Sequence, residues 1–219
     1  MEINLTGKPA FTYVNVDLQP GETIIAEADA MASMAAGISI LAKTNGGIIG
    51  GLVKKFVGGE SFFVNHFTNN SNKVQRLVLT QPTPGDMKVM ELNDQSYCLQ
   101  GGSYIACTSG IKLGVKWAGI SSLIGGEGLF KLQASGTGQL IFGAYGALIE
   151  KDIDGEYIVD TSHLVGYEPH MKLKTQLSGG IFSSFFGGEG LVTRVEGKGK
   201  IIIQSRSVSG LTAWLNRYF

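Results

Sequence analysis

Three glutamates in this chain each follow a pair of glycines. They are Glu60 in Gly58-Gly59-Glu60-Ser61-Phe62-Phe63, Glu127 in Gly125-Gly126-Glu127-Gly128-Leu129-Phe130, and Glu189 in Gly187-Gly188-Glu189-Gly190-Leu191-Val192. Arranged around one pseudo-threefold axis, they would form a carboxylate constellation. A metal site would need further oxygen or nitrogen ligands, and none recurs with the period. A carboxylate beside a glycine turn is also an ordinary acceptor for the backbone N–H groups exposed there. A structural role at the turn is therefore expected for all nine glycines and glutamates of these motifs.

The remaining reactive side chains form no recognisable site. His66, His163 and His170 occupy different places relative to the three motifs, with no His-x-His or His-Glu-x-x-His spacing between them. Cys98 and Cys107 flank the Gly101-Gly102-Ser103-Tyr104 turn without a basic partner nearby in sequence, so they read as packed thiols. Asp152-x-Asp154-Gly155 resembles the start of a calcium loop, but the rest of the twelve-position pattern is missing, and a hairpin turn is expected. Gly136-Thr137-Gly138 precedes a strand-like run and not a helix, which excludes a dinucleotide fingerprint and leaves a turn. No catalytic residue, metal or cofactor is expected, and the chain reads as a non-enzyme.

The bulk composition agrees. Lys+Arg and Asp+Glu number 18 each, so no net charge attracts nucleic acid or anionic lipid. The lysines at 112, 116, 172 and 174 would line one strand face, the solvated side of an antiparallel sheet, and nucleic-acid binding is disfavoured. Met1-Glu2-Ile3-Asn4 has no basic start and no apolar run behind it, and no apolar stretch has the length and hydropathy of a membrane span. A cytoplasmic protein is expected.

The elements that position these residues are mostly strands. Phe11 to Leu18 alternates aromatic and β-branched residues with polar ones, and Gln19-Pro20-Gly21-Glu22 reads as a turn. Ile111 to Trp117 and Met171 to Leu177 put apolar residues at period two with lysine between, the pattern of a half-buried antiparallel strand. Residues 28–42 would permit helix, but Ile38-Ser39-Ile40-Leu41 matches those two segments and reads as strand. Turns are expected at Asn69-Asn70, Gly136-Thr137-Gly138 and Gly197-Lys198-Gly199, each leading to an apolar strand. Short strands with regular turns, 32 glycines and three copies of one motif predict a β sandwich or barrel built of repeats. The division expected is residues 1–80, 81–150 and 151–208 within one domain, 1–219. Residues 209–219 then form a helix, because Leu211, Trp214, Leu215, Tyr218 and Phe219 share one helical face. That face is expected to lid the β core.

The ordered motifs carry a resemblance over nearly the whole chain. Leu18-Gln19-Pro20-Gly21-Glu22, Gly46-Gly47-Ile48-Ile49-Gly50-Gly51-Leu52, Pro84-Gly85-Asp86, Tyr145-Gly146-Ala147, Asp160-Thr161-Ser162-His163-Leu164-Val165 and the three Gly-Gly-Glu turns resemble the AIM (altered inheritance of mitochondria) family. The resemblance implies a mainly β fold. It implies three tandem units like those of the tryptophan RNA-binding attenuation protein (TRAP), a short variant of the double-stranded β-helix. It implies no established reaction, cofactor or catalytic residue. A β-rich scaffold or interaction protein is the function expected, with nucleic-acid or small-ligand binding by analogy to the TRAP fold as the alternative. Open edges at the first and last units invite self-association, and a ring-like trimer is expected by the same analogy.

Overall fold

The computed structural model describes residues 1–44, 63–117, 130–177 and 191–219. Strand β2 (Tyr13–Leu18) shows how the sequence makes this fold. Its burial alternates residue by residue, with Val14, Val16 and Leu18 turned wholly inward. Period-two alternation puts one side of a strand on a core and leaves the other to water.

Fourteen further strands are found among the described residues. They are β1 (Glu2–Thr6), β3 (Thr23–Glu27), β4 (Met31–Met34), β5 (Ile38–Thr44), β6 (Phe63–Asn69), β7 (Gln75–Leu79) and β8 (Met87–Leu99). Then come β9 (Tyr104–Thr108), β10 (Ile111–Trp117), β11 (Phe130–Gly143), β12 (Leu148–Asp160), β13 (Leu164–Tyr167), β14 (Lys172–Leu177) and β15 (Leu191–Gln204). Helix α1 (Val208–Leu215) is the last element among the described residues. The protein is mainly β, and its strand ladders are antiparallel.

Strands β1-β2-β7-β4 form a four-stranded sheet. An 11-stranded sheet runs β12-β15-β13-β8-β11-β9-β3-β6-β5, with β10 added to β11 and β14 added to β15. Side chains from both sheets, among them Val16, Leu77, Phe67 and Ile141, meet in one apolar cluster. A second cluster joins Leu99, Phe142, Val165 and Ile202, and a third joins Val159, Tyr167, Val195 and Ile201.

The pairing repeats along the chain. Strand β11 carries β8 on one edge and β10 and β9 on the other; β15 likewise carries β12, then β14 and β13. In the first third the two long strands are each interrupted. β2 and β3 are separated at Gln19-Pro20-Gly21-Glu22, where Gly21 has φ 79°. β6 and β7 are separated after Asn69, whose buried amide donates to Leu18 O and Lys73 O at 2.8 Å each. β4 lies on β7 as β9 lies on β11 and β13 on β15. Each of these three ladders skips one residue, Ala32, Ile105 or Val165.

Several local expectations are corrected. Asp152 to Glu156 is not a hairpin turn. It lies within β12, with Gly155 paired to Gly197. Gly136-Thr137-Gly138 and Gly197-Lys198-Gly199 are likewise internal to β11 and β15. Their glycines, at φ 123° for Gly136 and 130° for Gly197, let a long strand kink without ending, a conformation in which Cβ would be strained. The lid expected of the C-terminal helix is also absent. Every residue from Val208 to Phe219 is exposed. Ser207 caps the helix, its side chain accepting from Gly210 N at 3.1 Å.

Candidate interaction edges

The nine motif residues Gly58, Gly59, Glu60, Gly125, Gly126, Glu127, Gly187, Gly188 and Glu189 lie outside the described residues. The strands on either side of each motif are paired antiparallel, up to Thr44 with Phe63, Trp117 with Phe130 and Leu177 with Leu191.

The histidines are not brought together. The His163 Nδ1 atom lies 2.7 Å from Gln204 O, and the His170 Nε2 atom lies 2.8 Å from Lys198 O. His66 stands on β6, where burial and then the neighbouring Lys43 charge hold its pKa below the ordinary value. Among the described residues no three His, Cys, Asp or Glu side chains gather as a metal site would require. Cys98 and Cys107 are both buried, and neither forms a disulfide. Burial pushes the Cys107 pKa up to about 11, against the opposing hydrogen bond from the Tyr104 hydroxyl at 3.3 Å. A thiol held protonated in this way is a packing group and a poor nucleophile. Lys112 and Lys172 face solvent, and Lys174 pairs with Glu196 at 2.8 Å.

What the pairing does bring together is a set of joints. β9 joins the second third of the chain to the first by lying on β3, with Ala106 opposite Ala26 and Cys107 opposite Ile25. β13 joins the third to the second by lying on β8, with Gly166 opposite Leu99 and Tyr167 opposite Cys98. The strand that joins is short, carries the skipped residue, and has a small side chain where it crosses its neighbour. Ala106 and Gly166 are those small residues. The corresponding residue of β4 is Ser33, opposite Val78 as Ala106 is opposite Ile141 and Gly166 is opposite Ile202.

The same joints have two unmatched halves. β9 is buried from Tyr104 to Cys107 and β13 from Leu164 to Tyr167, whereas all four residues of β4 are exposed. At the other end, β12 corresponds to β8 and pairs only with β15 among the described strands. Ile158 stands where β8 has Cys98, because Val159 and Leu99 fall opposite the corresponding residues Thr193 and Leu132. Cys98 is 5% exposed under β13, and Ile158 is 54% exposed. An unpaired strand edge offers a row of free backbone donors and acceptors. Here each edge also offers apolar side chains, Met31 and Met34 on one and Ile158 on the other.

Sequence reasoning expected open edges at the first and last units but did not name the strands that carry them. Residues 28–42 would permit helix from sequence, and nothing in the sequence singled out Ile158. The usable signal was the small residue shared by Ser33, Ala106 and Gly166, which emerges only when the three strands are aligned by their pairing.

No helix among the described residues is long and apolar enough to cross a membrane. The chain is 26% identical to an uncharacterized protein of Streptococcus pyogenes serotype M6 over 227 residues, covering 100% of this chain and 91% of that protein. A crystal structure of a Streptococcus pyogenes protein superposes with a TM-score of 0.80 over 100% of this chain and 99% of that one. At 24% identity, that likeness speaks for the fold alone. The family model described as mitochondrial biogenesis AIM24 matches residues 3–206. The chain belongs to the mitochondrial biogenesis AIM24 family.

Proposed function

We propose that this protein is a non-enzymatic scaffold that assembles head to tail with copies of itself. The chain reads as three β units, 1–80, 81–150 and 151–208. β4 of one copy lies on β12 of the preceding copy as β9 lies on β3 and β13 on β8. A head-to-tail joint closes into a ring when the rotation brings the last copy back to the first, and three copies are the count we favour. The observation that carries this reading is the burial contrast. The strand that joins each later unit to its predecessor is buried, and its counterpart in the first unit is exposed.

Register makes the reading testable. Tyr167 opposite Cys98 and Cys107 opposite Ile25 place Met34 of one copy opposite Ile158 of the preceding copy. Met34→Glu or Ile158→Lys alone should break the assembly, since a charge placed on an edge strand opposes pairing. Combined in one chain, they put opposite charges across the joint, a pair that supports antiparallel strands. Recovery of the assembled mass in the double variant supports the reading. A double variant that stays as dissociated as the singles contradicts that register, and singles that assemble as the native chain does contradict the joint itself.

A further inference from the structure

We infer that helix α1 is a clasp that docks on the N-terminal segment Gly7–Thr12 of the next copy, an inference that rests on the head-to-tail reading above. The argument begins with the segments that lead into β2, β8 and β12, which meet one another in order. Thr12 N donates to Gly85 O at 3.0 Å, and Asp86 N donates to Gly146 O at 2.8 Å. Gly85 and Gly146 form an isolated parallel bridge. Phe11, Gly85 and Gly146 each stand two residues before their strand, so they are successive rungs of one ladder.

The next rung would be Phe11 of a following copy, beside Ala147. In the single chain the end of the last unit reaches that place. Ser205 N donates to Ala147 O at 3.0 Å, and Ala147 N donates to the Ser205 side chain at 2.8 Å. Two residues on, Ser207 caps α1. That rung is filled within the chain, so the helix leaves the fold beside the place that the next copy's Phe11 would approach. Both are apolar and uncovered. Phe11 is 75% exposed and Trp214 is 53% exposed. Trp214 is braced against Tyr218, their rings edge to face at 5.1 Å. Large aromatic side chains held at an interface contribute most per residue to association. The clasp thus continues, between copies, the interface that already runs through the chain.

The test is a double-mutant cycle on assembly, read by light scattering over a dilution series of the full chain. Phe11→Ser and Trp214→Ser each change an exposed side chain, so the monomer fold is left in place. Each should raise the concentration at which the assembly dissociates by roughly tenfold. The double variant should be little worse than either single, because the two residues lose one shared contact. Singles that dissociate at the native concentration, or a double whose effects simply add, would overturn the clasp while leaving the β4–β12 joint standing. A native chain that is monomeric at every concentration would overturn both.

Discussion

Cys98 and Ile158 stand at corresponding points of two long strands, and only one of them is covered. Tyr167 of β13 lies directly opposite Cys98, while among the described strands β12 has none on the side of Ile158. Local sequence does not explain the difference. It lies in the pairing, since β13 covers β8 and β12 pairs only with β15 among the described strands.

Ser33 is the small residue of the exposed joining strand. Ser33→Trp should leave folding intact, because β4 lies at a sheet edge with all its residues exposed. It should abolish assembly, because the equivalent crossings accommodate only Ala106 and Gly166. Circular dichroism and light scattering on the same sample check both halves. Retained assembly would show that β4 is not the joint.

Gly166 tests the internal version of that crossing. A Cβ built there would lie 2.6 Å from the Tyr97 ring and 2.9 Å from Cys98 O. The backbone atom cannot yield as a flexible side chain can. Gly166→Ala should therefore destabilise the protein by about 1–3 kcal/mol, read as a lower denaturant midpoint at unchanged slope.

Trp214 and Phe142 should behave oppositely in the monomer. Phe142 is fully buried and stacks on Tyr97 at 6.2 Å between ring centroids. Phe142→Ala should cost roughly 3–5 kcal/mol. Trp214→Ala should change monomer stability by about 0.5 kcal/mol or less, as for other exposed positions. Melting curves below the assembly range compare the two directly. An equal loss would restore the lid that the exposed helix contradicts.

Cys107 predicts an alkaline limb. Its thiol ordinarily titrates near 9.0, and burial raises it to about 11 in the folded chain. The folded state thus holds the proton more tightly. The stabilisation is complete below pH 9 and is lost as pH rises toward 11, about 2–3 kcal/mol in all. Cys107→Ala should flatten that part of the stability curve. The native thiol should also resist alkylation at pH 8 until denaturant is added.

Much of the fold is legible in the sequence because strand burial follows alternation. Ile111 to Trp117 alternates as a strand should and forms one, with Ile111 buried and Lys112 exposed. The failures share a cause. Asp154-Gly155 carries a strong turn signal, yet Gly155 faces Gly197 inside a ladder running from Leu148 to Asp160, and the long-range pairing outweighs the local preference. The C-terminal periodicity marks an apolar face correctly, but periodicity does not say what covers a face. The strands that carry the open edges were hidden for the same reason. Nothing local to Met31–Met34 or Ile158 distinguishes a strand that meets its neighbour within the chain from one whose neighbour would be another chain.

The most direct test of the assembly is the mass of the native protein in dilute solution by size-exclusion chromatography with light scattering. One chain is 23.3 kDa. The head-to-tail account predicts a single species of about three times that mass, consistent with a closed ring. A species at 23.3 kDa throughout the concentration range would contradict it.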